Sequence, residues 1–151
     1  MTSGLSNVYT MFGTVDTPMR FPAAFQVATP FGTNIGGVNP AMFAVNADSQ
    51  YDSWLTVGMI DASNPSVISS IGIDFAAWTS SSGITATGGL DEPGGALFWM
   101  NPDAGPTGAD IVMAQLTVPA GSSGTAGALL QGRSAHDADW KLAASWSYGC
   151  P

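Results

Sequence analysis

Hydrophobic and polar residues alternate in several short segments of this chain, and no segment keeps the period of a long helix. The clearest case is DIVMAQLTV (110–118), in which Val112, Ala114, Leu116 and Val118 fall on one face of an extended chain. The other apolar runs are short and rich in Val, Ile, Phe, Trp and Thr, the residue types that favour strands. This pattern predicts strands that bury one face and expose the other.

Segments of this kind recur along the chain. They are residues 8–15, 23–29, 41–46, 53–60, 66–75, 96–101, 110–118, 127–134 and 140–148. Turn-forming segments separate them, among them GGLDEPGG (88–95), which predicts a loop. The sequence therefore predicts a single all-β domain over residues 1–151, an antiparallel β-sandwich or jelly roll of about nine strands. We expect at most a short helix, in PAMFAVNADSQY (40–51) or DFAAW (74–78).

Charged residues are scarce, which changes the expected surface more than the expected fold. They make up 9% of the chain and the net charge is −8, whereas typical globular proteins are roughly 25% charged. With only Arg20, Arg133 and Lys141 as cations, the chain lacks the clustered positive charge that nucleic acids and anionic membranes require. We expect neither partner, and no membrane insertion, because no run approaches the roughly 20 apolar residues of a span. So few charges also remove the usual barrier to self-association.

Cys150 is the only cysteine, so no disulfide can form within the chain. It is either an incidental thiol or a candidate interchain thiol. The opening residues MTSGLSNVYT lack the charged and apolar regions of a signal peptide. We therefore expect a targeting peptide to be removed or absent from this chain.

Few residues could support catalysis. His136 is the only histidine, so a Ser–His–Asp or Cys–His arrangement would have to use it, and its polar context SAHDADW indicates a surface loop. Adjacent carboxylates such as Asp91 and Glu92 would face opposite sides of a strand and make a poor catalytic pair. Asp52 and Asp74, at predicted strand edges, are the better candidates for a hydrolase. We expect no enzyme activity and no required cofactor.

Asp and Asn residues cluster in the loops DASN (61–64), NPDAG (101–105) and HDAD (136–139). Their oxygens are the ligands that Ca²⁺ uses, although no loop matches the EF-hand pattern. The candidate calcium ligands are Asp61, Asn64, Asp103, Asp137 and Asp139. The competing interpretation is that these residues start turns by accepting local backbone hydrogen bonds.

The tryptophans lie in or beside predicted strands. They are Trp54, Trp78, Trp99, Trp140 and Trp146. In an all-β chain most aromatic side chains form the core. Those that stay exposed could stack on glycans or contact another subunit, so all five are candidates for ligand or assembly contact.

The most distinctive segment is YDSWLTVG (51–58). With no histidine or cationic group nearby in sequence, Asp52 has no catalytic partner. We predict that Asp52 braces the strand entrance by accepting hydrogen bonds from backbone N–H groups. Trp54 would then pack on one face of the strand, and Leu55, Val57 and Met59 on the other.

The order of short motifs carries a resemblance over roughly residues 8 to 148. VYTMFGTV, PFGTN and VNPAMFA precede YDSWLTVG, and GIDF, GGALFW, NPDAG, GADIVMAQLTV and GALLQG follow it. In this order the motifs resemble a β-rich module of unassigned function found in large secreted or surface proteins of marine bacteria and in algal proteins. The group is similar to the diatom pyrenoid shell proteins, which assemble into sheets. The resemblance implies display or scaffolding rather than catalysis.

Composition and resemblance together favour a structural protein that associates with itself into a fibre, sheet or shell. Exposed edge strands without lysines are the candidate contacts, and residues 2–15 could be donated as a strand to a neighbour's sheet. The alternative is a carbohydrate- or surface-binding adhesion module, with or without calcium. The resemblance implies an extracellular or cell-surface location, or alternatively a protein shell inside an organelle.

Overall fold

Strands account for most of the regular structure. The computed structural model describes residues 6–78, 89–135 and 138–149. Within those ranges the chain forms nine strands, and no helix there exceeds five residues. The strands are Thr10–Phe12 (β1), Met19–Pro22 (β2), Trp54–Leu55 (β3), Ile68–Ile71 (β4), Gly89–Glu92 (β5), Ala96–Trp99 (β6), Ala114–Gln115 (β7), Ser123–Gly132 (β8) and Trp140–Gly149 (β9). The predicted all-β class is confirmed.

Short helical turns lie between the strands, including both places where a short helix was expected. They are the 3-10 helices Pro40–Ala44, Ala47–Tyr51, Pro65–Val67 and Pro102–Ala104, and one α-helical turn, Phe75–Trp78 (α1). Asn39 caps the first of these, because its side chain accepts a hydrogen bond from the N–H of Ala41 and Pro40 occupies the first helical position. The prediction of a strand over 41–46 is therefore wrong, since capping chemistry outweighs the apolar pattern there.

The larger sheet is antiparallel, has seven strands and is organised around β8. Its strand order is β4-β6-β1-β8-β2-β5, and β9 pairs with β8 outside this path. One edge of β8 serves two neighbours, with β1 opposite residues 129–131 and Arg20 of β2 opposite Gly127. The other edge pairs with β9 along its whole length. β3 and β7 form a second, two-stranded antiparallel sheet.

One hydrophobic core joins the two sheets. Met11, Met19 and Leu97 of the large sheet and Leu55 of the small sheet are fully buried within it. Trp78 of α1 is equally inaccessible and belongs to the same cluster. Two antiparallel sheets that bury side chains between them form the sandwich-like arrangement that the pattern predicted.

The predicted strand over 23–29 is also wrong. Single backbone groups in this segment bond to different partners, because Phe25 N–H donates to Thr117 C=O and Val27 N–H donates to a carboxylate oxygen of Asp52. No ladder can form when partners change from residue to residue. The loop predicted over 88–95 is wrong as well, because residues 89–92 form β5 and pair with β2, a strand that the pattern also missed.

The N-terminal strand is used within its own chain. Thr10–Phe12 lies between β6 and β8 and pairs with both. The prediction that residues 2–15 are donated to a neighbour is therefore wrong for this part of the segment, because both of its edges are already paired.

Candidate functional site

Residues 52–57 form the longest continuous run of buried residues in the described chain. Asp52, Ser53 and Thr56 have no exposed surface, and Trp54 is 4% exposed. Leu55 is buried too, so both faces of β3 pack against other segments. Neither face of this strand is therefore exposed to solvent.

Asp52 braces a loop that precedes it by about twenty residues in sequence. Its Oδ1 accepts a hydrogen bond of 2.8 Å from Val27 N–H, and its Oδ2 accepts one of 2.6 Å from Thr33 N–H. Backbone N–H groups are the partners that we predicted for this side chain. They fix both ends of the 27–33 loop rather than the entrance of β3 itself.

The residues next to Asp52 fasten a second segment. Gln115 donates from its side chain to the carbonyl of Asp52 at 2.8 Å, and Ser53 Oγ accepts from Thr117 N–H at 2.9 Å. Gln26 donates from its side chain to the carbonyl of Ser53. The buried segment therefore ties the 25–33 loop to the 114–117 segment, a role in maintaining the fold.

Burial opposes the ionisation of the Asp52 carboxyl group. Burial raises the pKa of the Asp52 carboxyl above its usual value, and the hydrogen bonds from Val27 and Thr33 lower it part of the way back. The two N–H donors each require an acceptor oxygen, so they favour the ionised form geometrically. This balance is that of a structural carboxylate inside a protein.

The hydrolase alternative loses its first candidate residue. Asp52 is inaccessible and both of its oxygens are engaged, so it cannot reach a substrate. Asp74 accepts a hydrogen bond from Ala76 N–H at the start of α1, and its own N–H donates to Glu92. Asp91 forms an exposed ion pair with Arg20 at 3.2 Å.

The tryptophans separate into buried and partly exposed groups. Trp54 and Trp78 are buried, and Trp78 also donates to the carbonyl of Pro22 at 2.7 Å. The prediction that these two contact a ligand or another subunit is therefore wrong, because the core encloses them. Trp99 and Trp140 are half-buried. Each indole N–H donates to a backbone carbonyl: Trp99 to Val57 at 2.6 Å, and Trp140 to Asn7 at 3.1 Å.

Trp146 lies at an apolar groove of about 400 Å³. Its ring stacks on that of Phe21, with centroids 6.2 Å apart and planes inclined by 24°. The residues that line the groove come from β2, β8, β9 and the segment around β7. They are Phe21, Ile111, Val112, Met113, Ala114, Leu116, Ala126, Trp146, Ser147 and Tyr148. Of the five tryptophans, Trp146 is the one that lines this groove.

Two of the calcium candidates act in local turns. Asp61 accepts a hydrogen bond of 3.0 Å from Ser63 N–H, and Asn64 accepts one of 2.8 Å from the Ser66 hydroxyl. The bonds to Ser63 lower the pKa of Asp61 below its usual value. The competing interpretation, turn formation, describes both residues.

Two more calcium candidates are brought together by an arginine. Arg133 donates to Asp103 at 2.8 Å and to Asp139 at 2.7 Å. Asp139 also accepts from the hydroxyl of Tyr9 at 2.8 Å and from the side chain of Gln131 at 3.2 Å. The guanidinium compensates the charge of both carboxylates. In the part of the chain that the structure describes, no three His, Cys, Asp or Glu residues come close enough to hold a metal ion.

The Arg133 network perturbs its acidic members. The hydrogen bonds from Tyr9 and then from Arg133 hold the pKa of Asp139 below its usual value. Burial, followed by the bond to Asp139, raises the pKa of Tyr9. Three further residues of interest, His136, Asp137 and Cys150, lie outside the described residues.

The outer edge of β9 is the feature that sequence reasoning missed. The carbonyl of Gln131, which lies opposite Thr10 of β1, accepts a hydrogen bond from Tyr9 N–H, so the odd-numbered residues of β8 face β1. Because backbone groups alternate between the two edges of an antiparallel strand, the even-numbered residues of β8 face β9. Each even residue of β8 pairs with an even residue of β9, from 124↔148 to 132↔140.

The backbone N–H and C=O groups of the odd-numbered residues of β9 therefore point away from β8, at the outer edge of the sheet. These residues are Lys141, Ala143, Ser145, Ser147 and Gly149. Among the described residues, none of their outward N–H or C=O groups has a hydrogen-bond partner. Within the part of the chain that the structure describes, β9, a strand of ten residues, therefore presents an unpaired outer edge. Nothing in the sequence of this strand marks it as an edge.

Comparison with protein-family models, with curated proteins and with solved structures found no match. The relation to the β-rich module and to the pyrenoid shell proteins therefore stays a prediction that depends on the order of the motifs. Among the described residues, no helix has the length and hydropathy that crossing a membrane would need.

Proposed function

We propose that this protein is a structural subunit that assembles with copies of itself into a fibre, sheet or shell. The observation that carries the proposal is the outer edge of β9. Natural proteins usually protect long edge strands with lysines, prolines, bulges or a covering segment, because an unpaired edge recruits other strands. β9 contains no proline, and its ladder with β8 runs through ten consecutive pairs without a bulge.

Lys141 is the only charged residue of β9, and it does not guard the edge. Its ammonium group lies 5.8 Å from the centre of the Phe12 ring, on β1. Since β1 lies beyond β8 from β9, the lysine side chain reaches back across its own sheet. The edge is left with Ala, Ser and Gly at the positions whose backbone groups point outward.

The net charge of −8 sets the conditions for assembly. Like-charged copies repel each other at low ionic strength, and at 0.1 M salt the repulsion between charges more than about 10 Å apart is largely screened. We expect the mass measured by light scattering to increase with protein concentration and with salt, and electron micrographs to show filaments or sheets. A protein that stays monomeric at high concentration in both low and high salt would contradict the proposal. The assembly would lie outside the cell or on its surface, or alternatively form a shell inside an organelle.

A second candidate function is the binding of glycans at the groove beside Trp146. An aromatic ring at the wall of an open groove can stack on a sugar ring, and Tyr148 adds a hydroxyl group on the same face of β9. Tryptophan fluorescence during titration with a panel of oligosaccharides, with and without a chelator, tests this function. We expect any response to disappear in Trp146→Ala and to remain in Trp140→Phe. A flat response in every titration removes this candidate.

A further inference from the structure

We propose that two copies pair through β9 in an antiparallel arrangement, with Ala144 of one copy opposite Ala144 of the other. This inference rests on the proposed self-assembly and names its contact and register. The two large sheets would become one continuous sheet related by a two-fold axis perpendicular to it. The second copy is the expected occupant because the edge is complementary to itself, as the backbone, the side chains and the charges each indicate.

The backbone restricts the registers that are allowed. Outward groups belong to odd-numbered residues, so odd residues of one copy must face odd residues of the other. Centring the pair on Ala144 aligns residues 140–148 of the two copies. Lys141 then faces Ser147 of the second copy and Ala143 faces its Ser145, and these pairs recur symmetrically. The four hydrogen-bonded pairs supply roughly eight new backbone hydrogen bonds.

The side chains on the inner face also match in this register. Leu142, which is 41% exposed in the single chain, would lie opposite Trp146 of the second copy, beside the apolar groove. Trp140 would lie opposite Tyr148. Cross-strand pairs between aromatic and aliphatic side chains stabilise antiparallel sheets, so the register covers apolar surface that the monomer leaves exposed.

The charges on the outer face favour the same register. The two Lys141 residues lie at opposite ends of the paired region, and each faces a serine. Like charges directly opposite each other would destabilise the pairing. In this register no like charges meet across the two-fold axis.

The nearest competing register extends the pairing to Gly149 by centring it on Ser145. Gly149 has a φ of +140°, outside the conformation of a regular strand. That register would also leave Trp140 unpaired. A shift in the other direction, centred on Ala143, leaves Ser147 and Tyr148 without partners. The Ala144 register therefore aligns the longest regular stretch.

Single-cysteine variants in a Cys150→Ser background test the register. Ala144 faces itself in a pair without direct hydrogen bonds, where Cα atoms are about 4.5 Å apart, within disulfide range. We expect Ala144→Cys to form a covalent dimer under mild oxidation, and Ser145→Cys alone to remain monomeric on a denaturing gel. Asp48→Cys, at an exposed site on a 3-10 helix, is the control for random collisions.

A mixed experiment uses exposed positions only, so it does not depend on the folding of Ala144→Cys. Ala143→Cys and Ser145→Cys are labelled with different tags and oxidised together. We expect the disulfide to join the two different chains, because Ala143 of one copy faces Ser145 of the other. A covalent dimer of Ser145→Cys with itself, and none of Ala144→Cys, would overturn the proposed register.

Ser145→Pro tests the edge without cysteine chemistry. The N–H of Ser145 points outward, so proline removes a donor from the new interface and leaves the β8–β9 ladder intact. We expect dimerisation at least roughly tenfold weaker than in the matched control Ser145→Ala, with an unchanged melting temperature for the monomer at low protein concentration. If the protein assembles but neither the crosslinks nor Ser145→Pro respond, the β9 contact is wrong and the assembly proposal stands. If the wild-type protein is monomeric throughout, both are wrong.

Discussion

The carboxylate of Asp52 and the backbone N–H of Thr33 are joined by a hydrogen bond of 2.6 Å in the interior of the protein. The other carboxylate oxygen holds Val27 N–H at 2.8 Å. A single side chain thus replaces the strand ladder that residues 27–33 lack. This relationship makes Asp52 a determinant of the loop conformation.

Replacing Asp52 with alanine should destabilise the fold. The substitution leaves the N–H groups of Val27 and Thr33 without acceptors. Because both hydrogen bonds are partly buried, we expect a total cost of about 1–3 kcal/mol. Urea unfolding monitored by tryptophan fluorescence measures the change in free energy. Asp48→Ala is the matched control, because Asp48 is exposed four residues earlier and its loss should cost less than about 0.5 kcal/mol. Equal stability of the two variants would contradict the role of Asp52.

The raised pKa of Asp52 makes a prediction about pH. The folded protein holds the Asp52 proton more tightly than the unfolded chain does. The stabilising contribution of this proton is therefore complete below the usual carboxyl pKa and is lost as pH rises through the folded-state pKa. Asp52→Asn removes this contribution, so the slope of unfolding free energy against pH just above pH 4 should be more positive in the variant than in the wild type.

Denaturant unfolding at several pH values between about 3 and 7 provides both slopes. Asp61 and Asp139, whose pKa values are lowered in the folded protein, produce slopes of the opposite sign. These residues are present in both proteins, so their contribution cancels in the difference. A slope that is less positive in Asp52→Asn would show that the hydrogen bonds outweigh burial.

Replacing Arg133 should make the melting temperature of the protein depend on Ca²⁺. In the wild type the guanidinium already bridges Asp103 and Asp139, so we expect Ca²⁺ and chelator to leave the melting temperature unchanged. In Arg133→Gln the two carboxylates repel each other, which lowers the melting temperature in low salt and allows added Ca²⁺ to raise it. Arg20→Gln, which breaks the exposed pair with Asp91, is the control. A calcium-dependent stabilisation of the wild type that Arg133→Gln lacks would contradict this account.

Gly58, which ends the buried segment, should not tolerate a side chain. Its φ is +83°, and a Cβ atom there would lie 2.7 Å from the side chain of Pro106. The left-handed conformation alone costs roughly 1–2 kcal/mol for a residue other than glycine, and the contact with the proline ring adds to this. Gly94 has open space around its Cβ position and no positive φ, so Gly94→Ala is the matched control in thermal unfolding. Similar melting temperatures for the two variants would contradict this reading of the turn.

The role of Asp52 could be predicted because its sequence neighbourhood offers no catalytic partner, and a buried carboxylate must still be satisfied. Its partners could not, because Val27 and Thr33 belong to a segment whose apolar pattern indicated a strand. The pattern likewise predicted β9 as a strand but not as an edge. Edge position depends on β1 and β2 occupying the other side of β8, and this pairing joins distant parts of the chain.

The elements of the fold that the sequence pattern predicted wrongly have a similar cause. β5 reads as a loop because Gly and Pro dominate its surroundings, and only its pairing with β2 makes it a strand. Trp78 lies on a helical turn too short to show a period, so its burial depends on the packing of the core around it. Local sequence patterns predict elements whose conformation depends on their own residues. β5 and the buried helical turn of Trp78 depend instead on partners that are distant in sequence.

The placement of β8 at the centre of the large sheet imposes an order on folding during synthesis. β1 and β2 are made early, yet both need residues 123–132 as a partner. Until the ribosome has released this late segment, β1 can pair only with β6, and β2 only with β5. β9 then pairs with β8 on its other side, so the β8–β9 hairpin closes this part of the sheet. A chain truncated before this hairpin would retain unpaired strands, a state prone to aggregation.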